Sequence, residues 1–116
     1  MKKPRSLKQM IMSALGKVWM VWHGRNEAKR RCKIQDKNNA HNGWFVCEKC
    51  GSHREKIEID HIEPIVKPEE GFVDWNTYIA SKFVEADKLQ SLCHECHKEK
   101  SSQENKLRRE NKRRTK

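Results

Sequence analysis

A small α+β domain stapled by zinc is the fold this sequence predicts, and three observations predict it. Two Cys-x-x-Cys pairs, Cys47/Cys50 and Cys93/Cys96, are separated by 42 residues. Short alternating apolar runs border them, while helical periodicity marks both ends of the chain. Only 34% of the 116 residues are hydrophobic against 36% charged. That makes a thin core for this length, so a metal staple is expected.

Residues 1–5, Met-Lys-Lys-Pro-Arg, read as a loose basic arm. Ser6 with Gln9 three residues on is a capping-box signature. Leu7, Met10, Ile11, Ala14, Leu15, Val18, Trp19 and Trp22 recur at i, i+3, i+4. They predict an amphipathic helix over 7–21 whose apolar stripe covers the metal module. Gly24 ends this helix or turns the chain. Asn26 caps a short second helix over 27–34, carrying Lys29, Arg30, Arg31 and Lys33 as plausible phosphate contacts, with Cys32 a small buried residue. Residues 35–43 are turn-forming polar loop with His41 exposed in it.

Trp44, Phe45 and Val46 form a short strand that delivers the first Cys pair, and Gly51 supplies the left-handed backbone of a zinc knuckle. Residues 52–54 are loop. The alternation over 57–62 predicts a second strand. In a regular strand Asp60 and His61 face opposite sides, so they serve one site only where the strand ends or bulges, and Pro64 favours an ending. After a loop over 63–73, Asp74 caps a helix over 75–84 with Trp75, Tyr78, Ile79 and Phe83 facing the core. Leu89-Gln90-Ser91-Leu92 leads into the second Cys pair. A final helix runs from His94 to about Asn111 and frays into a Lys/Arg tail.

Four thiolates suit one tetrahedral structural zinc, because soft sulfur matches that ion. A redox dithiol would need one Cys-x-x-Cys rather than two. The absence of a secretory leader predicts reduced cysteines and a cytoplasmic setting. Asp60, His61 and His97 are then left over. A carboxylate and an imidazole can hold a second, harder ion, and a spare neutral imidazole can take a proton from water. If Cys93 opens a helix, Cys93, Cys96 and His97 share one face, so His97 serves either the neighbouring site or the zinc itself in place of one cysteine. His94 points away from that face; His23 and His53 have no partner placed by the sequence.

Net charge is +10, and it is unevenly spread. Residues 1–34 carry +9, residues 98–116 carry +6, and residues 35–97 carry −5. Basic ends around an acidic centre suit a polyanion gripped by the flanks and cations held in the middle. Lys98, Lys100, Lys106, Arg108, Arg109, Lys112, Arg113 and Arg114 form the terminal basic stretch, expected to touch phosphates non-specifically. No apolar run approaches the ~18 residues of a membrane span.

The order and spacing of these motifs resemble the HNH endonucleases, particularly the short stand-alone enzymes of phage genomes. The residues that carry the resemblance are Cys47-x-x-Cys50-Gly51, then Ile59-Asp60-His61-Ile62-x-Pro64, then Trp75 and Phe83, then Leu89-Gln90-x-Leu92-Cys93-x-x-Cys96-His97-x-x-Lys100. They span residues 44–105. The resemblance implies a ββα-metal, treble-clef-like fold with one divalent ion between a hairpin and a helix. It divides the chain into a basic helical arm (1–34), a nuclease module (35–105) and a basic tail (106–116). Carried over, Asp60 and His97 ligate the catalytic ion and His61 is the general base. One position departs: the family's Asn before the Leu-Gln pair is Lys88 here, leaving its positioning role to a backbone group or Asn76.

On that reading, one cation stabilises charge on the scissile phosphate while neutral His61 deprotonates a water for in-line attack, leaving 5′-phosphate and 3′-hydroxyl ends. The mixed oxygen–nitrogen site would accept Mg²⁺, Mn²⁺, Co²⁺ or Ni²⁺. Activity should rise with pH through roughly 6–7, where imidazole loses its proton. The expected partners are DNA and, by resemblance, a phage terminase. Two rival functions remain: a non-catalytic zinc-stabilised DNA-binding module, and a packaging adaptor.

Overall fold

The computed structural model describes residues 3–114, with side chains through Lys112. Met1 and Lys2 of the basic arm, and the side chains of Arg113 and Arg114, lie outside the described residues. The described chain is a small α+β fold with four α-helices and two short antiparallel strand pairs.

Helix α1 (Leu7–Trp19) begins as its capping box dictates. Ser6 Oγ accepts from the Gln9 N–H at 3.2 Å, and the Gln9 side chain returns to the Ser6 N–H at 2.9 Å. The helix stops two residues before the expected Val21 because Val21 and Trp22 bond back to Val18 and Trp19, tightening the last turn. Of its stripe, Trp19 meets the metal module, at the His61 ring. No residue of α1 is buried, and Leu7, Met10, Val18 and Val21 are all exposed. Trp19 and Trp22 alone make long-range ring contacts inward.

Helix α2 (His23–Arg31) starts four residues earlier than predicted, so Gly24 lies inside it rather than ending α1. Tertiary bonds set this start: Trp22 Nε1 donates to the Val84 carbonyl at 2.7 Å, and His23 meets Glu85 at 3.1 Å. Backbones approach so closely here that a Cβ on Gly24 would lie 2.3 Å from the Val84 oxygen. Gly24→Ala is therefore expected to destabilise the fold by about 1–3 kcal/mol, as overpacking against backbone does. The measurement is a urea titration, and an unchanged midpoint would mean the gap opens freely.

Strands β1 (Phe45–Val46) and β2 (His53–Arg54) pair antiparallel, Phe45 with Arg54 and Val46 with His53. His53–Arg54 is thus the return strand of the knuckle hairpin, where residues 52–54 were expected to be loop. Gly51 turns this hairpin with φ +77°. Strands β3 (Glu58–His61) and β4 (Leu89–Leu92) pair with Asp60 opposite Gln90 and His61 opposite Leu89. Between them lie α3 (Trp75–Lys82), capped by Asp74 Oδ1 on the Thr77 N–H at 2.7 Å, and a 3-10 turn at Ala86–Lys88. Tyr78 is buried as predicted, but Ile79 is 41% exposed rather than core.

Helix α4 (His94–Arg114) packs on β3 and β4. It continues past the predicted fraying point near Asn111, because its end is tied to the 63–73 loop: Asn111 Nδ2 donates to the Pro68 and Glu69 carbonyls at 3.1 and 2.9 Å. The most buried cluster is Cys47, Leu92 and Cys93, with Ile57 and Cys96 against it. The core therefore sits on the four cysteines.

Candidate functional site

The knuckle reaches the second Cys pair through backbone bonds. The Glu48 N–H donates to the Ser91 carbonyl at 2.8 Å, and the Ser91 N–H donates to the Glu48 carboxylate at 2.7 Å. That carboxylate is clamped by Arg31, whose guanidinium also donates to the Ala86 and Leu89 carbonyls. Arg31 was expected at a phosphate; most of its donors meet protein acceptors, although its side chain stays 40% exposed. Burial alone would push the Glu48 carboxyl up, but Arg31 and the Ser91 N–H outweigh it and hold the group below the usual carboxylate range.

This docking brings the Sγ atoms of Cys47, Cys50, Cys93 and Cys96 within 4.8 Å of one another. Cys50 and Cys93 Sγ are 3.8 Å apart, and a ZnS₄ tetrahedron with ~2.3 Å bonds has edges of about 3.8 Å. Without an ion the thiols cannot all ionise together. The Ser52 hydroxyl and N–H draw Cys50 down to about 6, whereas the Cys93 thiol beside it pushes Cys96 up to about 12. A divalent cation removes that conflict, so the site fits structural zinc. Four cysteines complete it, which leaves His97 free. Among the described residues this is the only cluster of three or more metal-ligating side chains.

Asp60 and His97 come together from β3 and the first turn of α4. Asp60 Oδ1 lies 3.7 Å from His97 Nε2. Two ligand atoms at ~2.0–2.2 Å from one ion can be at most about 4.4 Å apart, so the pair can share a cation. The second carboxylate oxygen, Oδ2, is taken by Lys100 Nζ at 2.6 Å and by Gln90 Nε2 at 3.3 Å. Lys100 Nζ also donates to the His61 carbonyl at 2.5 Å and lies 3.0 Å from Glu104 Oε1. Lys100, predicted as a DNA contact, thus ties the end of β3 to α4.

His61 ends β3, as the strand-ending argument requires, and its ring is 8% exposed. It stacks on Trp19 with ring centres 5.1 Å apart. Nε2 lies 2.7 Å from the Lys82 carbonyl. A carbonyl only accepts, so Nε2 carries the proton and Nδ1 holds the free lone pair. Burial first, opposed by that bond, holds His61 below its ordinary range; the ring is neutral at pH 7. The Lys82 carbonyl thus holds the His61 ring, while Asn76 is exposed on α3 and the Lys88 carbonyl accepts from the Ile62 N–H.

A cleft of about 280 Å³ is lined by Asp60, His61, Tyr78, Lys100, Glu104 and Arg108 among others. Lys98, Lys106 and Arg109 lie exposed along α4 beyond it, Arg30 is exposed on α2, and Lys29 lies over the Phe45 ring at 5.4 Å. His41, expected exposed in its loop, is half-buried: it meets His53, which the sequence left without a partner, at 2.9 Å and stacks on Trp44. Trp19 was read as part of the stripe that covers the metal module, but its place on the His61 ring was not foreseen. Nothing in the local pattern carries that contact, which spans 42 residues.

The chain matches no protein-family model, no curated protein and no solved structure. No helix is long and apolar enough to cross a membrane among the described residues. The residues themselves carry the functional reading.

Proposed function

We propose that this protein is a metal-dependent DNA endonuclease of the HNH kind. The observation that carries the reading is the convergence to 3.7 Å of Asp60 and His97, 37 residues apart in the chain, beside a neutral, buried His61. A divalent ion there would polarise the scissile phosphate and stabilise its transition-state charge. The chain's own residues do the rest. Asp60 and His97 hold the cation, His61 accepts a water proton at Nδ1, the Lys82 carbonyl fixes the ring's tautomer, and Arg108 lines the cleft where a phosphate would lie. The products of such a cut are 5′-phosphate and 3′-hydroxyl ends. The deciding experiment is plasmid nicking with added Mg²⁺ or Mn²⁺: wild type should nick, and Asp60→Asn should not. Co²⁺ and Ni²⁺ should also support cutting.

A second reading has its own support. Lys100 already neutralises the Asp60 carboxylate at 2.6 Å, and Lys88 stands where the HNH pattern has Asn. Both suit a zinc-stabilised DNA-binding module without catalysis, acting as an adaptor beside a phage terminase. A wild-type protein that binds DNA but never nicks it, whatever the ion, would favour this reading.

Either way the basic surface of α4 should set affinity. Replacing Lys98, Lys106 and Arg109 by Gln leaves the Asn111 ties intact. It should flatten the dependence of log K on log salt by ~0.9 per lost phosphate contact. Fluorescence anisotropy across a salt series measures it, and an unmoved slope would take these residues out of the interface.

A further inference from the structure

We infer that Glu58 is a positioning residue for His97. The inference rests on the reading of Asp60 and His97 as a metal-holding pair. Glu58 and Asp60 are two apart on β3, so they share a face of the strand. His97 stands across from both. Its Nε2 lies 3.7 Å from Asp60 Oδ1, and its Nδ1 lies 3.6 Å from Glu58 Oε2. The imidazole is thus held between two carboxylates, one at each ring nitrogen.

The Glu58 oxygen facing it is in an unusual state. The side chain as a whole is 44% exposed, yet Oε2 itself is buried and has no hydrogen-bond partner. An orphaned buried acceptor costs free energy until a donor reaches it. His97 Nδ1–H is such a donor, a few tenths of an ångström beyond bonding distance. When it donates to Glu58, the His97 lone pair is fixed at Nε2, the nitrogen facing Asp60. A ligating imidazole needs this arrangement, because a carboxylate at its far nitrogen sets the tautomer and raises the basicity of the near one. His94 Nδ1 lies 3.5 Å from the same oxygen but its side chain is 74% exposed; it is a solvated competitor for the carboxylate.

The test is a Mn²⁺ titration of the full-length, zinc-loaded protein without DNA, following free Mn²⁺ by electron paramagnetic resonance. Wild type should bind one Mn²⁺ and Asp60→Asn should lose it. Glu58→Gln should bind about 10–100-fold more weakly, as loss of such an outer carboxylate does, and His94→Gln should match wild type. Zinc content and helicity should be unchanged throughout. At saturating Mn²⁺ the nicking rate of Glu58→Gln should return close to wild type. In a second readout, ¹⁵N spectra of the zinc-loaded protein should show His97 protonated at Nδ1 in wild type and shifted toward Nε2 in Glu58→Gln. Equal affinity in Glu58→Gln and wild type would overturn the role of Glu58 and leave the Asp60–His97 pair standing. Equal weakening in His94→Gln would overturn it too, by making His94 the partner. Failure of wild type to bind Mn²⁺ would remove both, whereas tight, Glu58-dependent binding without nicking would sink the nuclease reading alone.

Discussion

Stripping zinc from this protein with a strong chelator is expected to unfold it. Among the described residues, Ala28, Cys47, Leu89, Leu92, Cys93 and Ser91 are 1% exposed or less, and two of them belong to the thiolate cluster that fits zinc. Without the ion, crowded thiols replace bonded thiolates at the centre of the buried cluster of Cys47, Leu92 and Cys93, and the knuckle and the start of α4 lose their common anchor. Structural zinc contributes about 10–16 kcal/mol in small zinc modules at neutral pH. A domain's whole net stability is about 5–15 kcal/mol, so the remainder cannot hold the fold. The expected observations are one zinc per chain by elemental analysis and loss of far-ultraviolet helicity on chelation. Cys47→Ser and Cys93→Ser should behave like the chelated protein, whereas Cys32→Ser should keep its zinc, since Cys32 lies outside the cluster. A chelated protein that kept its helices would show that β3, β4 and α4 stand without the ion.

Replacing His61 by Ala is expected to lower the nicking rate by ~10²–10⁴-fold, the usual worth of a placed general base, with zinc content and DNA affinity retained. The effect should fall on the rate constant rather than on metal binding, because the proposed ligands of the ion are Asp60 and His97, not His61. The acid side of the wild-type profile carries the same signature. His61 acts as a base only when unprotonated, so the rate falls as pH drops through its folded-state pKa. Burial places that value below the ordinary 6.5 of imidazole. The falling limb should therefore lie at lower pH than sequence alone indicates. It should vanish from the residual activity of His61→Ala. A limb that persists unchanged in the variant would assign the titration to another group.

Some of this was open to inspection in the chain itself. The capping box at Ser6 and Gln9, the Asp74 cap, the Gly51 turn, the alternation that ends at His61 and the two Cys-x-x-Cys pairs all act within a few residues. Their physics is local, so their outcome is written in adjacent letters. The zinc ligands follow for the same reason: each pair is a chelating unit before the fold forms.

Other features could be decided only when distant segments met. Arg31 and Lys100 carry donors that satisfy a DNA phosphate or a carbonyl equally well. The approach of Glu48, Ala86 and Leu89 to one, and of Asp60 and the His61 carbonyl to the other, gave them acceptors within the protein. The start of α2 was set by Val84, 62 residues from the Trp22 that reaches it, against the local signal of Asn26. The apolar stripe of α1 marked a helix but not what would cover it, and most of it faces solvent. Short-range propensity and spacing thus determined the elements and the thiolate cage. Which side chain satisfies which buried partner was a tertiary decision, because unpaired donors and acceptors are costly only after folding removes the water around them.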